Sequence, residues 1–152
     1  MTKFVAFSEA NAIAFHSMAL IAKSQLAINA ITISEVIGAS KHHASKVLQK
    51  LVKHGLLGST RGPSGGFYLA KPANEIMIID ILQAIEGEVK LNDCPIDYLV
   101  CPFGSCLMGG LCNNIGEILV EHMQTHTLQD MISNIPASKK FFDTDRVTIL
   151  NE

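Results

Sequence analysis

The chain has 152 residues, 48% of them hydrophobic and 17% charged, which suits one domain with a real core plus an appended element and excludes a disordered chain. Apolar runs such as Ile76-Met-Ile-Ile79 are too short to span a bilayer, and Met-Thr-Lys-Phe lacks a signal peptide's layout; a cytoplasmic protein with reduced thiols and no membrane partner is expected. A formal net charge of −2 speaks against nucleic-acid binding, but no Asp or Glu occurs between Glu35 and Glu75, a gap that holds Lys41, Lys46, Lys50, Lys53, Arg61 and Lys71, six of the twelve Lys and Arg. A basic block inside an acidic chain is the footprint of a phosphate-binding face, although charges alone would fit a solvated helix equally well.

In chain order, Ser8 can cap a helix running to about Lys23 whose residues are apolar almost all round, so burial is expected. A polar connection through Ser24 and Gln25 leads to Asn29. Thr32-Ile-Ser-Glu35 then fits a capping box, opening a short helix that ends near Gly38. Ser40 caps a second helix, in which Ala44, Val47, Leu48 and Leu51 recur at helical spacing until Gly55 stops it. Two helices joined by Gly38-Ala39-Ser40 make a helix-turn-helix. Leu56–Thr60 and Phe67–Ala70 flank the loop Arg61-Gly-Pro-Ser-Gly-Gly66 and read as a β-hairpin, a wing directly after the helix-turn-helix.

Met77 to Ile85 is a further helix, and an irregular loop follows. A long helix runs from about Leu111 to Gln124 with the stripe Leu111, Ile115, Ile118, Leu119 and His122, and Thr127-Leu-Gln-Asp130 caps a last helical turn. A polar, poorly ordered tail is expected after Pro136. The fold class is mainly α with a small β-hairpin wing. The chain divides into a winged helix-turn-helix domain (1–87), a cysteine-rich loop (88–110), a long helix (111–135) and a tail (136–152).

The second helix of a helix-turn-helix lies in the major groove, and its first residues meet base edges. Here those residues are Ser40, Lys41, His42, His43, Ser45 and Lys46, every one a hydrogen-bond donor. Lys50, one turn on, suits a phosphate contact or plain solvation. Arg61 at the wing tip suits a narrow minor groove. Double-stranded DNA is therefore the expected partner. No nucleophile–base pair or phosphate-binding glycine motif is present, which speaks against an enzyme.

All four cysteines, Cys94, Cys101, Cys106 and Cys112, fall within one 19-residue stretch. Thiolates at this density can hold an iron–sulfur cluster, with Gly104, Gly109 and Gly110 giving the backbone freedom to wrap it. Spacings of six, four and five intervening residues are loose for structural zinc. Redox-active free thiols and zinc remain the alternatives.

The string Leu51-Val-Lys-His-Gly-Leu-Leu-Gly-Ser-Thr-Arg61-Gly-Pro-Ser-Gly-Gly-Phe-Tyr-Leu-Ala-Lys-Pro72 resembles the wing signature of the Rrf-two (Rrf2) family of bacterial winged helix-turn-helix transcription regulators. Ile79–Gly87, His126–Asp130 and Ile13–Ala22 fit the same pattern, so the resemblance spans roughly residues 8–133. It implies a homodimer joined through the long helix, a near-palindromic operator, and three cysteine ligands for a 2Fe-2S or 4Fe-4S cluster. Those ligands register with Cys94, Cys101 and Cys106. The resemblance leaves the fourth ligand open between Cys112, which is additional to the family pattern, and His16, which matches a first-helix position where one member supplies a histidine.

Overall fold

The computed structural model describes residues 7–24, 26–89, 102–133 and 135. In these the chain forms α1 (Glu9–Lys23), α2 (Ala30–Ile37), α3 (Lys41–Lys53), β1 (Leu57–Ser59), β2 (Phe67–Leu69), a single 3-10 turn at Ala73–Glu75, α4 (Ile78–Glu86), α5 (Leu111–Thr125) and α6 (Leu128–Ser133). It is a mainly helical winged helix-turn-helix fold. Cys94, Cys101 and the expected tail lie outside the described residues.

Local chemistry sets most of the boundaries. The Ser8 side chain accepts from the Asn11 N–H at 3.1 Å and starts α1. α1 buries Ile13, Ala14, Met18, Leu20 and Ile21 but leaves Ala12 and His16 exposed, so its burial is one-sided rather than complete. The start of α2 corrects the capping-box expectation. Asn29, not Thr32, is the cap, its Oδ1 accepting from the Thr32 N–H at 2.9 Å. Thr32 is buried within the first turn, and Ser34 donates to the Ile31 carbonyl, so neither is free to cap. Gly38 then takes a left-handed φ of 70° and ends α2, a conformation that glycine adopts without steric cost. Ser40 Oγ accepts from the His43 N–H at 3.1 Å and opens α3.

β1 and β2 pair antiparallel with Leu57 opposite Leu69 and Ser59 opposite Phe67. The hairpin has a third contributor that periodicity does not announce. Ile28 exchanges both backbone hydrogen bonds with Phe67, at 3.1 and 2.8 Å, and so ties the wing to the segment ahead of α2. Gly66 makes this approach possible, because a Cβ there would sit 2.5 Å from the Ile28 carbonyl carbon.

The main core joins α1, α2, α3, the wing, α4 and α6 around Met18, Ile33, Leu48, Leu51, Ile81 and Leu128, all essentially fully buried. α6 reaches it because backbone hydrogen bonds link Ile78 N–H to His126 O and Leu128 N–H to Ile76 O. Thr127 and Asp130 form the expected reciprocal cap: the Asp130 carboxylate accepts from the Thr127 N–H at 2.8 Å, and Thr127 Oγ1 accepts from the Asp130 N–H at 3.1 Å. α5 stands apart. A small second cluster of Ile78, Ile79, Leu82 and Met123 seats only its C-terminal half, with Leu119 packed alongside. Leu111, Ile115 and Ile118 are exposed.

Candidate nucleic-acid interface and cysteine segment

α3 turns Ala44, Val47, Leu48 and Leu51 inward, which fixes the opposite face toward solvent. Ser40, Lys41, His42 and Lys46 are exposed on that face, and His43 and Ser45 are half-buried beside it. His43 differs from its neighbours: its Nδ1 lies 3.6 Å from Glu9 Oε1 on α1, within ion-pair reach when the ring is protonated. Of the two adjacent histidines, His42 is thus the one turned freely outward.

Lys50 has a partner within the chain. Its Nζ donates to the Ile85 carbonyl at 3.1 Å, capping the C-terminal end of α4 with a positive charge. Lys50 stays exposed, so this intramolecular bond stands beside the phosphate contact or solvation expected of it. Next to it, Glu86 Oε1 accepts from Ser8 Oγ at 2.5 Å and Asn11 Nδ2 at 2.8 Å. The end of α4, from which the chain continues toward the cysteine segment, is therefore tied to both α3 and α1.

Arg61 is exposed on the wing. The loop around it is closed by Thr60 N–H to Gly66 O at 2.9 Å and by Gly65 N–H to Gly62 O at 3.0 Å. Gly62, at φ 111°, adopts a backbone conformation open to few other residues. The wing also presents Tyr68, 44% exposed, whose ring lies where a side chain on Gly58 would be. Sequence reasoning did not single out Tyr68, yet strand alternation from buried Phe67 turns it outward. Its hydroxyl is a further donor on the wing surface.

Cys106 is exposed, Cys112 is half-buried on the first turn of α5, and both are free thiols. Gly104, Gly109 and Gly110 have φ values of 69°, 59° and 78°, so the chain bends three times around Cys106 before α5 begins. His16 is exposed on α1 with Nδ1 2.6 Å from the Ala12 carbonyl. A carbonyl oxygen only accepts, so Nδ1 carries the hydrogen and the neutral ring keeps a bare Nε2 lone pair, the form in which a histidine binds metal. Among the described residues no three His, Cys, Asp or Glu side chains already converge on one point. The local chemistry nevertheless suits a thiolate-bound group: Cys106 and Cys112 are accessible and unpaired, and left-handed glycines shape the intervening backbone. No helix among the described residues is long and apolar enough to cross a membrane.

Comparison with known proteins agrees with this geometry. Residues 7–134 match the family model described as Rrf2, iron-dependent transcriptional regulator. The HTH-type transcriptional regulators IscR of Pectobacterium carotovorum and Pectobacterium atrosepticum are each 31% identical over 103 residues, which is 67% of this chain and 62% of each relative. The chain thus aligns with less than two thirds of those relatives' length. Among solved structures, CymR (YrzC), the global cysteine regulator of B. subtilis, superposes with a TM-score of 0.71 at 22% identity over 86% of this chain and 98% of that one. IscR of T. potens gives 0.68 at 21% identity, over 88% and 90% of the two chains. The oxidized form of Staphylococcus aureus CymR gives 0.68 at 23% identity, over 87% and 99%. At these identities the structural likeness establishes the fold. With the family match spanning nearly the whole winged-helix body and α5, the chain belongs to the Rrf2 family of DNA-binding transcriptional regulators.

Proposed function

We propose that this regulator works as a homodimer whose affinity for a near-palindromic operator is set by an iron–sulfur cluster on the cysteine segment. The observation that carries the DNA half is the exposed row Ser40, Lys41, His42 and Lys46 on α3, beside a wing with Arg61 and Tyr68 on its surface. α3 would enter the major groove and the wing would lie along the adjacent backbone. The exposed line Leu111, Ile115 and Ile118 on α5 supports the dimer, since it is apolar surface that the described residues leave uncovered. A two-fold dimer would present two copies of α3 to two half-sites.

Cys94, Cys101 and Cys106 would hold the cluster, with Cys112 or His16 as the fourth ligand. When bound, such a group supplies a centre whose ligation changes with oxidation, nitric oxide or iron supply. Binding that favours one dimer geometry would shift the population of α3 spacings and so the operator affinity. The ties Lys50–Ile85 and Glu86–Ser8/Asn11 support this reading, because they join the end of α4 to α3 and α1.

Protein purified without oxygen should be brown, with iron and sulfide in comparable amounts, and should lose its visible absorbance on exposure to nitric oxide. Cys106→Ala should remove both the absorbance and its effect on operator affinity; a variant unchanged in both respects refutes the cluster. A second reading rests on the same two thiols: exposed Cys106 and half-buried Cys112, six positions apart, suit direct thiol sensing without a cluster. Colourless anaerobic protein whose operator binding still responds to oxidants favours it. Stoichiometric zinc without sulfide would instead indicate a zinc-stabilised module.

A further inference from the structure

A groove of about 520 Å³ opens between α4 and the junction of α3 with the wing, a volume within the range of small-molecule sites. Neither Cys106, Cys112 nor the outward row of α3 lines it. Its two sides differ in charge. On the side of α3 and the wing stand His54, the C-cap of α3, and Lys71, two residues past β2. On the side of α4 stand Asp80 and Glu88, with Gln83 between them in sequence. Asp80, Gln83 and Ala84 share one face of α4 through their spacing of three and four. Leu56 and Ala84, both buried, supply the apolar part of the lining. The opposite charges do not close on one another: among the described residues the one ion pair within 4 Å is that of His43 with Glu9. Asp80 is held in place because its Oδ2 accepts from the Met77 N–H at 3.1 Å, which leaves Oδ1 for another donor. Lys71 and Glu88 are exposed, so their charged ends can meet a ligand.

We propose that this groove binds a small zwitterion of the α-amino-acid class. The ligand carboxylate accepts from Lys71 Nζ and the His54 ring, and the ligand ammonium donates to Asp80 and Glu88. A simple anion loses against the two carboxylates what it gains from Lys71, and a simple cation meets the converse. A zwitterion satisfies both sides at once. Such a ligand bridges α4 to the end of α3 and the base of the wing. Its binding therefore favours one placement of the DNA-reading elements over others, and operator affinity follows.

Ligand-observed NMR and calorimetry on the full chain, with each of the common amino acids in turn as probe, test this. At least one should bind saturably. Its N-acetyl and carboxamide derivatives, each lacking one of the two charges, should bind at least about tenfold more weakly. Lys71→Gln and Glu88→Gln should each weaken the free amino acid by a similar factor, whereas Lys53→Gln, outside the groove, should not. The two variants should also separate the ends of the ligand: Lys71→Gln should narrow the gap between amino acid and carboxamide, and Glu88→Gln the gap between amino acid and N-acetyl form. Cys106→Ala should keep the site, so loss of the cluster reading leaves this one standing. No saturable binding of any amino acid at millimolar concentration overturns the proposal. So does equal binding in wild type, Lys71→Gln and Glu88→Gln, or a derivative that binds as tightly as its parent.

Discussion

The winged-helix body and the long helix α5 are written in the same amphipathic code and end in different surroundings. In the body, the apolar residues of α3 and α4 pack against α1 and against each other, and Leu48, Leu51 and Ile81 reach zero exposure. In α5 the line Leu111, Ile115 and Ile118 recurs at the same spacing, yet Ile118 is 67% exposed and only Met123 is buried. Helical periodicity states that a face must be covered, not by what. Where the cover comes from the same chain, the result is a core; where it does not, the face is available to a second molecule.

The sharpest way to break that contrast is one truncation in each region. Leu48→Ala removes a fully buried side chain and should cost about 2–5 kcal/mol in denaturant unfolding. Ile118→Ala removes a side chain already in water and should change the stability of the isolated chain by no more than about 0.5 kcal/mol. Ile118→Asp should instead weaken self-association in sedimentation, and operator binding with it. A Leu48→Ala protein as stable as wild type, or an Ile118→Asp protein that associates normally, would erase the distinction.

The wing gives the next largest effect. A methyl group on Gly66 would collide with the Ile28 backbone, which offers no flexible side chain to move aside. Gly66→Ala should cost about 1–3 kcal/mol and reduce operator affinity by displacing Arg61 and Tyr68. Gly62→Ala leaves open space for its methyl group, and its cost comes from φ 111° alone. The unfolding free energies of the two variants, measured side by side, separate a close approach from backbone strain.

Most of the body was legible in the sequence because its signals are local. Ser40 three residues ahead of the N–H that donates to it, an apolar spacing of three and four, and a glycine-rich loop between two short β-prone runs each specify geometry within a few residues. The start of α2 was misread because two capping residues compete three positions apart, and the deciding fact, burial of Thr32, is tertiary. The bond from Lys50 to Ile85 spans 35 positions and the one from Ser8 to Glu86 spans 78, with no periodicity to announce either. Ile28 escaped notice for a related reason: a lone pair of backbone hydrogen bonds leaves no repeating pattern. In the cysteine segment, glycines signalled turns that Gly104, Gly109 and Gly110 do adopt. Cys94 and Cys101 lie outside the described residues, so their spacing remains a sequence argument.

Two lysines on α3 refine the comparison within the body. Lys46 is exposed on the outward face, whereas Lys50 is bonded to α4. Lys46→Ala should leave stability within about 0.5 kcal/mol and lower the slope of log affinity against log salt by about 1, as loss of one phosphate contact requires. Lys50→Ala should instead cost about 1 kcal/mol of stability, and its salt slope reads whether Lys50 also meets phosphate. Equal salt slopes for wild type and Lys46→Ala would remove Lys46 from the phosphate-contacting set.

The smallest effect lies at the α5–α6 corner, where the body and the long helix meet. Asp130 is fully exposed, yet its carboxyl is held below the usual value, first by the Thr127 N–H, then by the Thr127 hydroxyl, with a smaller contribution from His126. A depressed folded-state value means that the ionised form is preferred in the folded chain. Its stabilising contribution is complete above the ordinary carboxylate value of 3.8 and fades as pH falls through the lower folded-state value. Asp130→Asn should therefore lower the thermal midpoint slightly at pH 7, and the gap to wild type should close on acidification below pH 3.8. Solvent screens an exposed carboxylate, which keeps the effect small. A gap that persists unchanged at acid pH would assign the loss to the shape of the cap rather than to its charge. α6 would then be anchored by backbone pairing and the buried Leu128 and Ile132, with the carboxylate charge contributing nothing measurable.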